Sequence, residues 1–383
     1  MRCATFCWLI VFTSVQAQPL PQLTVLQPPG GKAGTTVHLA LTGVDLEEVE
    51  SLMITPGGIT AERTPDPAKP GAFLPNQFTL QIPKEVAPGT FDVRAVNAYG
   101  VTNPRAFVVG ELEEQAEKEP NNDVHQAQAI PLQSTISGHI ANPTDVDYFS
   151  IECQQGQTII LECSAESMDS RLYPDIRVFT KSGKLIAANR PRSAPDGYCH
   201  FTAPATTTYL VRLCSHAHLL GGAEAFYRLS ISTRPWIEAI TPAIVEPGKT
   251  REAFLWGRNL PGASLDPNFR VEGQPLQKMN IVLTSPPAEA AAQQLEGFAW
   301  LPPHRAGLDG FAYRVQNMHG WSNQIPITFS SDNLILGTGS HNSPEQAQPL
   351  TLPCDVLGRI ERVNDRDWYS FTAQAGQTIS IEA

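Results

Sequence analysis

Charge is scarce in this chain of 383 residues: Asp, Glu, Lys and Arg make up 17%, and aromatic residues only 8%. Long solvated helices and coiled coils need far more charge, so neither is expected. Cations are the scarcer kind, 27 Lys and Arg against 38 Asp and Glu, for a formal charge of -11. A nucleic acid or an anionic membrane needs a basic face that releases counterions, which excludes both as partners. Beyond the first residues no stretch approaches the roughly 20 apolar residues of a membrane helix, so no transmembrane segment is expected. Proline and glycine are plentiful, at 33 and 28. With 42% hydrophobic residues the chain has material for a sizeable core, and its many turn residues favour short strands.

Met1 to Ala17 reads as a secretory signal, with Arg2 its only charge, an apolar run from Phe6 to Phe12, and Val15-Gln16-Ala17 at the cleavage positions. Cleavage near Ala17, or retention as an uncleaved anchor, would alike place residues 18 onward outside the cytoplasm, secreted or at the cell surface. Removing the signal leaves Cys153, Cys163, Cys199, Cys214 and Cys354. An odd number in an oxidising compartment leaves at least one thiol free or paired outside this chain. Strand alternation sets Cys153 with Phe149 and Ile151, and Cys163 with Ile159 and Leu161, on apolar faces. That pattern accommodates two bridges or buried thiols equally.

The chain repeats itself. A shift of 220 lays Asn122–Cys163 on Asn342–Ala383 without a gap, and 16 of the 42 positions match, too many for unrelated segments. Gln126-Ala127-Gln128, Gly138-x-Ile140, Asp145-x-Asp147 and Gly156-Gln157-Thr158-Ile159 all recur. The same shift carries Phe78, Pro83, Phe91, Arg94, Asn97, Gly100 and Asn103 onto Phe298, Pro303, Phe311, Arg314, Asn317, Gly320 and Asn323. Further upstream a shift of 214 pairs Pro28, Gly34, Gly43 and Leu46 with Pro242, Gly248, Gly257 and Leu260. Two kinds of unit, A and B, therefore alternate twice: A over 18–110 and 235–331, B over 111–234 and 332–383, the first B opening with an acidic linker at Glu111–Lys118.

Unit A alternates at Val37–Leu41, Phe78–Ile82 and Phe91–Val96, the rhythm of a small β-sandwich. Its Pro-Gly before the second strand, Gly-x-Asn/Asp-Leu turn and closing V-x-N-x-x-G-x-[ST]-N strand resemble the immunoglobulin-like IPT/TIG modules of secreted bacterial proteins. That likeness implies a spacer or binding module. Unit B carries Glu119-Pro120-Asn121-Asn122-Asp123, Gly138-x-Ile140, Asp145-Val146-Asp147-Tyr148-Phe149, Gly156-Gln157-Thr158, Thr208-Tyr209-Leu210-Val211 and Phe226-Tyr227-Arg228-Leu229 in order. Together these resemble the bacterial pre-peptidase C-terminal (PPC) domain, a jelly-roll-like β-sandwich, and the tandem resembles large secreted proteins of planctomycete-type bacteria. The fold class expected is all-β: tandem β-sandwiches, an Ig-like unit followed by a jelly-roll-like PPC unit, duplicated, the last incomplete because it stops inside the strand matching Ile159–Cys163.

Oxygen-rich side chains gather at the start of unit B. Glu117, Glu119, Asn121, Asn122 and Asp123 form one segment, and Asp145 and Asp147 lie two apart at the head of a strand. Calcium takes six to eight hard oxygens, several of them carboxylates. The resemblance extends to collagen-binding modules of clostridial collagenases, and implies Ca2+ at Glu119, Asn121, Asp123, Asp145 and Asp147. The competing reading is a solvated linker with Asp145 and Asp147 capping turn amides. The second copy replaces Glu117, Glu119, Asn121 and Asp123 by Gly337, Gly339, His341 and Ser343 but keeps Asp365 and Asp367.

No H-E-x-x-H, G-x-S-x-G, Walker loop or G-x-G-x-x-G occurs. Cys199-His200 and Cys214-x-His216-x-His218 fit no standard zinc spacing. Two functions follow: a non-catalytic secreted or cell-surface protein whose units space and bind an extracellular protein or polysaccharide, or the accessory region of a hydrolase with its catalytic domain beyond residue 383. Peptidases with a domain resembling unit B usually carry it after the catalytic domain, whereas here the units follow the signal, an order favouring the first. Casein, gelatin and simple esters incubated with the chain should show no hydrolysis above a boiled control; activity lost on replacing His200, His216 and His218 would contradict this.

Overall fold

Alternation decides which side of each strand is buried. Val37, Leu39 and Leu41 of one strand, Phe78 and Leu80 of a second and Phe91, Val93 and Ala95 of a third all turn inward, toward Leu23 and Phe107. The computed structural model describes residues 19–189, 196–218, 220–271, 273–291, 309–339, 341–360 and 364–381. The signal segment Met1 to Ala17 lies outside the described residues.

The first A unit has strands β1 (Gln22–Gln27), β2 (Gly30–Lys32), β3 (Thr36–Val44), β4 (Ser51–Thr55), β5 (Thr60–Pro65), β6 (Phe73–Gln81), β7 (Gly89–Asn97), β8 (Gly100–Val101) and β9 (Arg105–Gly110). One sheet runs β1-β3-β6-β5; the other runs β2-β9-β7-β4, with β8 on β7. Its closing motif is a clamp. Asn97 Nδ2 donates to the Asp45 carbonyl at 2.9 Å, the Ala95 amide donates to Thr102 Oγ1 at 2.9 Å, and the Asn103 amide group exchanges both hydrogen bonds with the Leu23 backbone at 2.9 and 3.0 Å. Gly100 turns the hairpin at φ 140°, a left-handed conformation that suits glycine.

The first B unit continues with β10 (Glu113–Ala116), β11 (Gln128–Ala129), β12 (Ser134–His139), β13 (Val146–Cys153), β14 (Thr158–Ser164), β15 (Pro174–Thr180), β16 (Leu185–Ala188), β17 (Gly197–Thr202), β18 (Thr207–Ser215) and β19 (Phe226–Ser232). Two five-stranded sheets, β10-β12-β19-β14-β17 and β11-β13-β18-β15-β16, enclose a core that includes Ile136, Phe149, Ile151, Leu161, Tyr209 and Ile231. The acidic linker is itself a strand: β10 pairs in parallel with β12, Glu113 opposite Ser134. Ser134 in turn faces Ile231 near the end of β19, so the chain enters and leaves this unit at one end. Cys153, Cys163, Cys199 and Cys214 are buried, Cys354 is half-buried, and no disulfide joins them.

The second A unit follows as β20 (Trp236–Thr241), β21 (Ile244–Val245), β22 (Thr250–Arg258), β23 (Ser264–Val271), β24 (Gln274–Thr284), β25 (Gly310–Tyr313), β26 (Gln316–Asn317), β27 (Gly320–Trp321) and β28 (Ile325–Phe329). Its sheets run β20-β22-β24-β23 and β21-β28-β25. The strand beside β22 is β24, and Phe298 and Pro303 lie outside the described residues. The clamp returns, with Val315 N–H donating to Ser322 Oγ at 3.1 Å and Asn323 exchanging bonds with Ile237 at 2.7 and 3.0 Å. The second B segment contributes β29 (Asn333–Leu336), β30 (Gln348–Pro349), β31 (Cys354–Leu357) and β32 (Tyr369–Ser370). β29 pairs in parallel with β31 and β30 with β32, as β10 does with β12 and β11 with β13. Gln128 bridges the Lys118 amide and the Ala116 carbonyl, and Gln348 bridges Thr338 and Leu336 in the same way, which explains why the last Gln of Gln-Ala-Gln recurs.

Joints between units are made by specific side chains. Val25, Ala106, Met168 and Phe226 form an apolar seam between the first A and B units. Beside it Arg228, 4% exposed, donates from Nη2 to Glu114 Oε1 at 2.5 Å, and Lys32 pairs with Glu113. The Arg228 head fits because Gly30 has no side chain: a Cβ there would sit 1.7 Å from Nη1 and 2.3 Å from the Val108 carbonyl oxygen. On the other side Tyr198 stacks on Trp236 at 4.1 Å, Asn259 Nδ2 reaches the Thr158 carbonyl at 2.9 Å, and Arg314 Nη2 reaches the Pro88 carbonyl of the first A unit at 3.2 Å. Gly30→Ala should therefore cost about 1–3 kcal/mol by overpacking. Thermal unfolding should record the loss, with faster hydrogen exchange at the Ala33 and Val108 amides that tie β2 to β9; Gly57→Ala, where a Cβ meets open space, is the control expected to change nothing.

Candidate metal centre

Tyr227 draws the site together. Its position in β19 faces inward, and its hydroxyl lies 2.7 Å from Glu117 Oε1 and 2.6 Å from Asp147 Oδ2. Glu117 follows β10 directly and is held by the His139 amide, which donates to Oε2 at 3.0 Å, and by Asn121 Nδ2 at 3.1 Å. Gly138 makes the room: a Cβ there would stand 2.6 Å from both Glu117 Oε2 and the Tyr227 hydroxyl. Glu119 accepts the Asn121 amide at 3.0 Å. Carboxylate oxygens of Glu117, Glu119 and Asp147 then all lie within 4.8 Å of one another.

Of the five residues expected from sequence, Glu119, Asn121 and Asp147 meet here. Asp145 and Asp123 are placed in turns instead. Asp145 accepts the Ala141 and Val146 amides at 2.6 and 3.0 Å, because it precedes the first residue of β13, and Asp123 accepts the His125 amide at 2.9 Å. Glu117 and Tyr227 complete the cluster without belonging to that five: Glu117 stands in the same oxygen-rich segment, and Tyr227 lies in the unrepeated Phe226-Tyr227-Arg228-Leu229 run.

Electrostatically the cluster is unbalanced. Asp147 is fully buried, and burial first, then the neighbouring Glu117 carboxylate, pushes its carboxyl well above the usual range. Burial likewise raises the Tyr227 phenol, so its proton stays in place. One hydroxyl hydrogen cannot serve two carboxylates, so one of the two short contacts needs a proton on Asp147 or a cation nearby. Two buried oxygens, Asn121 Oδ1 and Asp147 Oδ1, have no hydrogen-bond partner, which is the condition in which a hard cation satisfies atoms that the protein leaves bare. The donor set fits calcium: only oxygens, three of them carboxylates, with exposed Glu119 on the solvent side.

Among the described residues the Cys–His groups form no cluster of three potential metal ligands. Cys199 lies in β17 of one sheet and Cys214 in β18 of the other, while His218 Nδ1 lies 3.2 Å from the Pro143 carbonyl. Burial pushes the Cys153 thiol up to about 12 and also raises Cys163 and Cys214, which makes these thiols poor nucleophiles.

Tandem β-sandwiches with, among the described residues, one acidic cluster able to hold a metal ion are thus what the fold and site define. No protein-family profile and no curated protein matches it. Solved structures similar to parts of it include the pre-peptidase C-terminal domain of a Bacillus anthracis collagenase, at 15% identity and TM-score 0.24 over 30% of this chain and all of that one. The g-type lysozyme inhibitor PliG of Aeromonas hydrophila matches at 16% identity and TM-score 0.20 over 31% of this chain and 99% of its own. A Bacteroides ovatus mixed-linkage glucan utilisation protein, SGBP-B, solved with a mixed-linkage heptasaccharide, matches at 9% identity and TM-score 0.19 over 53% and 72%.

The raised Asp147 carboxyl sets a pH dependence. Its folded pKa exceeds its ordinary value of 3.8, so between the two the native state binds more protons than the unfolded one. The stabilisation is complete below about 3.8 and is lost as pH rises through neutrality. In chelator the melting temperature should fall more steeply from pH 5 to pH 8 for the parent chain than for Asp147→Asn, roughly pH values well inside that window. Parallel slopes would contradict the assignment.

Proposed function

We propose that this is a non-catalytic extracytoplasmic protein whose β-sandwich units space and bind, and whose first B unit is completed by one calcium ion. The observation that carries the reading is the pair of buried, unpartnered oxygens beside three converging carboxylates. Calcium replaces the proton on Asp147 and supplies the positive charge that the single Tyr227 hydrogen cannot. Glu117, Glu119, Asp147 and Asn121 Oδ1 hold the ion, and water fills the remaining positions on the Glu119 side. Asp145 and Asp123 shape the turns that carry these ligands.

The binding surface in this reading is the cleft of about 710 Å³ between the first A and B units. Its walls include Val25, Pro29, Lys32, His38, His139 and Phe226, and Glu117 and Glu119 stand at its border. A polysaccharide or an extended protein segment suits an open cleft of this mixed lining. No helix among the described residues is long and apolar enough to cross a membrane.

Calcium at 100 times its dissociation constant should stabilise the unit by about 2.7 kcal/mol, and chelator should remove the gain. Glu119→Gln and Asp147→Asn should each shrink the calcium-dependent shift in melting temperature, and magnesium should substitute poorly because it keeps its waters. Identical melting curves in millimolar calcium and in chelator would sink the proposal.

A further inference from the structure

The second B segment keeps the frame of this site and changes its chemistry. Gly337 and Gly339 stand where Glu117 and Glu119 do, His341 replaces Asn121, Asp367 remains at the position of Asp147, and Tyr369 replaces Phe149. The frame survives, because Gln348 and Tyr369 pair as Gln128 and Phe149 do. Removing two carboxylates takes away most of what a calcium ion needs.

What replaces them is a set of bare donors. His341 is 1% exposed, yet neither ring nitrogen has a hydrogen-bond partner, and the Tyr369 hydroxyl is also buried without one. A neutral imidazole so enclosed leaves one donor and one acceptor unsatisfied, and an imidazolium leaves two donors, so every protonation state is penalised. The His341 and Tyr369 rings lie 4.8 Å apart. His341 Nδ1 stands 3.6 Å from Asp367 Oδ1, too far for a hydrogen bond.

The glycines show where the donors converge. A Cβ on Gly337 would stand 3.3 Å from His341 Nε2 and 3.1 Å from the Tyr369 hydroxyl. A Cβ on Gly358, the counterpart of Gly138, would stand 2.7 Å from that hydroxyl and 3.0 Å from Asp367 Oδ2. The Tyr369 hydroxyl thus borders two adjoining spaces, one beside Gly337 shared with His341 Nε2 and one beside Gly358 shared with Asp367 Oδ2, and a Cβ on Gly337 would stand 3.3 Å from the Gly358 Cα.

We propose that His341 Nε2, Asp367 Oδ2 and Tyr369 Oη form a second metal centre, selective for a divalent transition ion of the zinc class. Imidazole with a carboxylate suits zinc and its neighbours, and three protein donors plus water complete a four-coordinate site. The duplication has thus yielded two sites of different softness on one frame. The inference goes beyond the calcium reading and does not need it.

Cobalt(II) is the probe, since it takes zinc positions and absorbs visibly in them. The full chain, stripped with chelator and dialysed, should bind cobalt with new visible d–d bands, and zinc should displace it stoichiometrically. His341→Asn and Tyr369→Phe restore residues that the first copy carries, so they test the site without introducing a foreign shape. His341→Asn should weaken binding by at least the roughly 10–100-fold that even an outer-shell partner is worth, and Tyr369→Phe should shift the bands. Asp147→Asn should leave the cobalt spectrum unchanged, which separates this result from any failure at the calcium site. Absence of bands, or bands indifferent to His341→Asn, overturns the proposal.

Discussion

Carboxyl groups crowded inside a β-sandwich repel one another and lose their hydration, and the first B unit is arranged around that constraint. Glu117 and Asp147 are both held by one phenol hydroxyl, and Gly138 is bare so that all three fit. Glu117 sits directly after β10 and accepts the His139 amide at the end of β12, so the centre and the linker strand share residues. Local electrostatics and the joint between units are therefore one problem rather than two.

Much of the framework was legible in the chain itself. Alternation at Val37–Leu41, Phe78–Ile82 and Phe91–Val96 marks strands that the fold contains, and the repeated Asn97/Asn317, Thr102/Ser322 and Asn103/Asn323 prove to be clamps that close each A unit. The linker was not legible. Glu113–Ala116 has no apolar rhythm because it pairs through its backbone, and its side chains are spent on Lys32 and Arg228 of the neighbouring surfaces. Apolar periodicity reports burial on a face, and a strand held at a sheet edge by ion pairs has no such face.

The site was half legible, for a geometric reason. Period-two spacing aims Asp145 and Asp147 to one side only if both belong to the strand, and β13 starts at Val146. Asp145 is left in the turn, where amides claim both of its oxygens, while Asp147 enters the core. Tyr227 lies 80 residues further on, and no local pattern connects it with either. The substitution of Asn121 by His341 is plain in the sequence, but that both imidazole nitrogens are enclosed without partners is a property of packing alone.

The register of β10, β12 and β19 has a mechanical consequence. Glu113 faces Ser134 and Ser134 faces Ile231, so the first B unit is entered and left at the same end, while Arg314 of the second A unit touches Pro88 of the first. Because its two ends lie side by side, the B unit projects to one side of the line joining the A units, and tension along the chain would load the β10–β12–β19 ladder at that end. Reach would then come mainly from the A units, and the B unit would display its site while adding little length.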